Sequence, residues 1–245
     1  MQLAAVVVGL AAFAAAGPVT VTFVSGNGTP VSGTTSPPHD KVLYYPYTIS
    51  VNGSHMTVAC DDFAGHVYDG ESWLANVNTF SDAEGTIGLS GGKFAASTPT
   101  TMDVQNYEEA AYLFYQFQPT PPDGNEVNAA INYALWDLFD DSAPSLNAVN
   151  GDTTTSSSYW LTQAGLNYST LSWSQLSRIE IFTPVILAPE APGARKFNFL
   201  QSSSNPQEFM GTVPEPATLV LLGTGLLGLA FVFKRRWQPR LQAQS

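Results

Sequence analysis

The residues Tyr47-Thr48-Ile49-Ser50-Val51-Asn52-Gly53-Ser54-His55-Met56-Thr57-Val58-Ala59-Cys60 decide the fold class. Two runs with apolar and polar residues in alternation flank Asn-Gly, the pair best suited to the positive φ angles of a two-residue type I′ turn. Pairing Val51 with Ser54 sets Ile49 opposite Met56 and Tyr47 opposite Val58. One face of this hairpin then carries Tyr47, Ile49, Val51, Met56, Val58 and Cys60, and the other Thr48, Ser50, His55 and Thr57. Cys60 accordingly points inward at the end of a strand.

Downstream of the hairpin the period changes from two to 3.6. Residues 103–117 place Val104, Tyr107, Ala111 and Phe114 at helical spacing, and Pro119, Pro121 and Pro122 end the run. Residues 125–139, with Asn125 as the cap, put Val127, Ile131, Ala134 and Leu138 on one stripe. Ala129, Asn132, Trp136 and Phe139 adjoin it, so a polar Asn132 stands among aromatics. The polar run 150–158 reads as a loop, and strands are expected at 178–187, 196–200 and 207–213. The fold class is α+β: a strand-rich domain with two or three packed helices.

The chain has 245 residues, with 9 Lys+Arg against 20 Asp+Glu and a net charge of -11. A phosphate backbone would be repelled by most of that surface, so no nucleic-acid partner is expected. One cysteine excludes an intrachain disulfide framework. The charge is unevenly spread: residues 17–213 carry five basic and nineteen acidic residues, while 214–245 carry four basic and one acidic.

Both ends read as addresses. Residues 1–16 are uncharged and apolar and close in small residues, as a signal peptide does, with cleavage expected before Gly17. Residues 217–233 form a second uncharged apolar run, followed at once by Lys234-Arg235-Arg236. At about 1.5 Å per residue it nearly crosses a hydrocarbon core of about 30 Å, and the cations would stay cytoplasmic. Immediately before it stands Pro214-Glu215-Pro216, whose prolines deny backbone donors and hold the segment extended, as a protease substrate must be. The order Pro-Glu-Pro, apolar helix, basic cluster resembles the PEP-CTERM sorting signal of Gram-negative bacteria. The resemblance implies recognition by an exosortase, an inner-membrane-anchored precursor, cleavage near Pro214-Glu215-Pro216, and transfer of the body to the cell surface or extracellular matrix. The expected layout is a signal peptide at 1–16, an ectodomain at 17–213, the sorting signal at 214–236 with its transmembrane helix at 217–233, and a cytoplasmic tail at 237–245.

The lone cysteine carries the most suggestive chemistry. Val58-Ala59-Cys60-Asp61-Asp62-Phe63 and, some seventy residues later, Ile131-Asn132-Tyr133-Ala134-Leu135-Trp136 resemble the paired signatures of the thioester domain of bacterial surface adhesins. That resemblance implies a bond between Cys60 and a glutamine at position 132, with Trp136 closing the motif. Here position 132 is Asn. With the same backbone its carbonyl sits roughly 1.5 Å short of the sulfur, and about 1 Å of misplacement can cost ~10²-fold. The expectation is a free thiol on a thioester-domain-like scaffold, with a Cys60–Asn132 hydrogen bond in place of the crosslink.

Other chemistries have less support. A thiol enzyme needs a base, and of His39, His55 and His66 only His66 is local to Cys60 and off the opposite strand face. No Gly-x-Ser-x-Gly, His-Glu-x-x-His, Walker or GxGxxG pattern is present, so no catalytic residues, cofactor or metal ligands are assigned. Asp61, Asp62, Asp69 and Glu71 offer carboxylates for Ca²⁺, but the spacing fits no EF-hand and a solvated acidic surface is expected. Trp73, Trp160 and Trp173 remain available for stacking on sugars. The function expected is structural or adhesive and not enzymatic, with exopolysaccharide or a surface protein as partner; the alternatives are a covalent adhesin acting through Cys60 and an exopolysaccharide-binding module.

Overall fold

The computed structural model describes residues 17–27, 35–36, 44–80, 89, 91–118, 124–185 and 206–212. The chain divides into two units, Met1–Thr212 and Val213–Ser245. Residues 1–16, the strand expected at 196–200, the apolar run 217–233 and the rest of the second unit lie outside the described residues. Among the described residues no helix is long and apolar enough to cross a membrane.

The first unit is strand-rich. In chain order its elements begin with β1 Val19–Asn27, β2 Thr35–Ser36, β3 Tyr44–Val51, β4 Ser54–Cys60 and β5 Ser72–Thr79. The helices α1 Thr101–Gln116 and α2 Gly124–Asp137, the short strand β6 Ser145–Leu146, and the helices α3 Ser157–Asn167 and α4 Trp173–Leu176 follow. β7 Ile179–Pro184 and β8 Phe209–Thr212 complete it. β1, β3, β4, β8, β7 and β5 close in that order into a six-stranded barrel, every neighbouring pair antiparallel. Closure leaves these strands no open edge.

The Asn-Gly hairpin has the expected register, with Val51 opposite Ser54, Ile49 opposite Met56 and Tyr47 opposite Val58. Asn52 at φ 49° and Gly53 at φ 89° make the left-handed turn that only such residues take cheaply. Its apolar face lines the barrel: Val21, Phe23, Tyr47, Ile49, Val58, Cys60, Trp73, Ala75, Phe182 and Phe209 form one buried cluster. That interior is tight. A Cβ on Gly211 would lie 2.8 Å from Met56 Cε and 2.9 Å from Val58 Cγ1. Gly211→Ala is therefore expected to cost about 1–3 kcal/mol by overpacking, measured as a lower urea midpoint at unchanged slope. An unchanged midpoint would mean the barrel has room to spare.

The other face of β4, β7 and β8 is also buried, because α1 and α2 pack on it with Ala59, Ile179, Ile181 and Met210. α1 starts two residues earlier than the periodicity indicates, since Thr100 Oγ1 accepts from Asp103 N–H while the Asp103 carboxylate accepts from Thr100 N–H. α2 begins at Gly124, which places Asn125 in the first turn and not at the cap. All its residues from 128 to 136 are buried, consistent with its two apolar stripes.

Several elements depart from the sequence expectation. The polar stretch 150–158 is not a simple loop: it holds a 3₁₀ turn at Thr153–Thr155 and the start of α3. Ser157 there is buried, its hydroxyl accepting from Leu146 N–H at 3.0 Å, so a serine anchors the helix from inside. β1 and β5 were not expected, although Val19, Val21 and Phe23 alternate with Thr20 and Thr22, and Trp73, Ala75 and Val77 with Ser72, Asn76 and Asn78.

Candidate functional site

The end of β4 brings the chemically suggestive residues together. Cys60 is fully buried, and its thiol donates to the Asp62 carbonyl at 3.3 Å. Burial pushes the thiol pKa well up, and the negative charge of the neighbouring Asp62 adds to the shift. Such a group stays a thiol and is a poor nucleophile. His66 and His55 are exposed, and His55 lies on the strand face opposite Cys60.

Asn132 on α2 does meet Cys60, but through the main chain. Its Nδ2 donates to the Cys60 carbonyl at 3.0 Å, and its Oδ1 accepts from Tyr45 N–H at 2.9 Å. The carboxamide thus ties α2 to the start of β3 and the end of β4, and the hydrogen bond between Cys60 and Asn132 runs to the main-chain carbonyl. Trp136, one helical turn on, is buried against Tyr133 and Phe63. Its buried indole N–H has no hydrogen-bond partner, though it lies near enough to Cys60 to oppose the rise of the thiol pKa.

Asp61 and Asp62 overturn the expectation of a solvated acidic surface. Both are fully buried, and Glu71 is buried as well, its carboxylate accepting from Tyr68 N–H at 2.8 Å; Asp69 alone of the four is exposed. The chain leaves β4 beneath the 91–94 turn and alongside the residues that lead into β8, so the two aspartates enter the interior. Asp62 Oδ1 accepts from Gly65 N–H at 2.9 Å, and Oδ2 accepts from Glu208 N–H at 3.2 Å and from Lys93 Nζ at 2.5 Å. Gly65 is required here, because a Cβ would collide with Asp62 Oδ2 and stand 2.9 Å from Gln207 Cα.

Glu208 was not singled out in the sequence, yet it centres the cluster. Fully buried, it accepts from Tyr107 O–H at 2.8 Å, from Lys93 N–H at 2.8 Å and from the Thr183 hydroxyl, which in turn accepts from Asn78 Nδ2 at 2.8 Å. Alternation along β5 and β7 places Asn78 and Thr183 on the outer barrel face, opposite α1. Neither Asp61 oxygen receives a donor from a hydroxyl or amide; its neighbour is the Glu208 carboxylate. Burial raises both acids. Glu208 is held back by its donors, while Asp61 is pushed further up by the charges of Glu208 and Asp62, so the proton sits on Asp61 and is shared with Glu208.

That arrangement sets a pH dependence. Asp61 keeps its proton when folded and loses it at ordinary carboxylate pH when unfolded, so its contribution is full below that range and is lost as pH rises through the folded pKa. Asp137, raised to about 6 by burial and by Asp140 and Asp141, adds a loss of the same sign between the ordinary value of 3.8 and about 6. Asp61→Asn is expected to flatten the decline above pH 6, measured as urea midpoints from about pH 5 to 9. Parallel profiles for the two proteins would contradict a protonated Asp61.

Among the described residues no group of three or more His, Cys, Asp or Glu side chains is placed to hold a metal ion. Of the three tryptophans reserved for sugar stacking, Trp73 is buried inside the barrel and Trp160 donates its N–H to the Thr154 carbonyl at 2.7 Å. Trp173 is 39% exposed.

The site holds no feature that names a reaction, and the comparison that identifies anything falls on the other end of the chain. Residues 212–236 match the PEP-CTERM protein-sorting motif. The motif indicates an exported protein of Gram-negative type, targeted for exosortase processing. It begins at the residue where β8 ends, so the sorting sequence follows directly on the strand that joins β4 to β7. No curated protein and no solved structure matches the chain.

Proposed function

We propose that the chain is a non-catalytic structural or adhesive module of the cell surface or extracellular matrix. In this reading residues 1–16 direct export, 217–233 anchor the precursor in the inner membrane with 237–245 in the cytoplasm, and cleavage near Pro214-Glu215-Pro216 frees the body. One observation carries the absence of catalysis: Cys60, Asp61, Asp62, Asn132 and Glu208 are all 0% exposed. Groups sealed in this way hold elements together and do not meet a substrate.

The body is read as thioester-domain-like without the thioester. Asn132 keeps the pairing with Cys60 that the resemblance implies, and uses it as a hydrogen-bonded brace. The partner is a surface protein or exopolysaccharide; for the latter, Trp173 is the exposed indole available for stacking.

Fractionating cells with and without the exosortase tests the proposal. With the enzyme, the body is expected in the surface or matrix fraction, shortened by about the sorting segment. Without it, the full-length chain should remain in the membrane. A full-length membrane form in both strains would overturn the reading.

A further inference from the structure

The Lys93–Asp62 contact joins groups in an unusual setting. Lys93 Nζ is in direct contact with Asp62 Oδ2, within reach of a charge-assisted bond. The Asp62 side chain is 0% exposed and that of Lys93 21%. Glu208 fixes both partners: its N–H binds Asp62 Oδ2, and its carboxylate accepts from Lys93 N–H. Gly65 N–H holds the other Asp62 oxygen. Beside them lies Asp61, fully buried, with no amide or hydroxyl donor on either oxygen.

We propose that Lys93 and Asp62 become joined by an intramolecular isopeptide bond, with the Asp61–Glu208 carboxyl pair relaying protons. The ion pair supplies every atom. One proton passes from the Lys93 ammonium to Asp62 Oδ2 across their direct contact, giving the amine and carboxylic acid that condense. Nζ then attacks Asp62 Cγ. The N–H groups of Gly65 and Glu208 polarise the two carboxyl oxygens, as donors aimed at a developing oxyanion do. The acid pair accepts a second proton from nitrogen and returns a proton to the departing hydroxyl. The C–N bond forms, the Cγ–Oδ2 bond breaks, one water leaves, and nothing is oxidised or reduced. Fixed contact between the reactants replaces a bimolecular encounter, an advantage that can reach effective molarities of about 10⁵–10⁸ M. The bond would tie the end of β4 to the 91–94 turn, 31 residues on in sequence.

Mass spectrometry of proteolytic fragments from the full-length chain tests this, whatever processing has occurred at its ends. The expected product is a branched peptide joining the segments around Asp62 and Lys93, about 18 Da lighter than their sum. It should survive hydroxylamine, which cleaves a thioester. Finding only the two unlinked peptides from folded protein would overturn the proposal. Lys93→Arg should give unlinked peptides only. Asp61→Asn, which keeps the packing, should slow linkage during refolding by about a hundredfold; linkage at the native rate would remove the proton relay from the proposal. Neither outcome depends on the proposed surface role, which the fractionation tests separately.

Discussion

Glu208→Ala is expected to lower the unfolding free energy by about 3–5 kcal/mol, the cost of removing one partner from a buried charged network. The loss has identifiable parts. The Tyr107 hydroxyl, the Thr183 hydroxyl and the Lys93 N–H all lose their acceptor. Asp61 loses the carboxylate that takes its proton. Tyr107 cannot compensate by ionising, since burial and the neighbouring negative charges push its pKa far up. Equilibrium urea unfolding measures the effect. A loss under about 1 kcal/mol, the net worth of a single ordinary hydrogen bond, would contradict a central role for this carboxylate. Glu208→Gln should be milder, because its carbonyl oxygen still accepts from one of these donors.

Asn132→Ala should cost about 2–6 kcal/mol, because it leaves two main-chain groups, the part-buried Tyr45 N–H and the buried Cys60 carbonyl, without partners at about 1–3 kcal/mol each. Asn132→Asp is expected to destabilise in the same direction, since it sets an acceptor against the Cys60 carbonyl. These effects follow from the brace geometry and not from any bond to sulfur. Thermal unfolding of the two variants beside the native chain reads them directly. Stability equal to the native chain's in both would mean that Asn132 does not tie α2 to the barrel.

How much of this was legible in the sequence depended on whether the signal was local. The hairpin through Asn52-Gly53 was, because the turn chemistry and the alternation each fix the register. The helices at 101–116 and 124–137 were too, from their apolar stripes and the prolines between them. α3 was not, because its Ser157 looks like loop composition until tertiary contact gives the hydroxyl a buried donor from Leu146. β1 and β5 carry readable alternation, but their pairing with β3, with β7 and with each other is set only by closure of the barrel.

The candidate site divides the same way. Cys60 and Asn132 could be paired from their motifs, but which atoms meet depends on how α2 sits on the barrel. Asp61 and Asp62 read as surface because acids usually are. Their burial rests on Glu208 and Lys93, 146 and 31 residues away from Asp62. No local pattern joins residues so far apart.

The account rests on a barrel that seals its lone thiol, and alkylation of Cys60 tests that most directly. The processed body is treated with a small thiol reagent, first folded and then in denaturant, and the labels are counted by intact mass. The expected result is no label on the folded protein and one per chain after denaturation. Rapid labelling of the folded protein would contradict a sealed thiol. A denatured chain that takes no label and is released by hydroxylamine would contradict the free thiol and establish an acyl bond at Cys60.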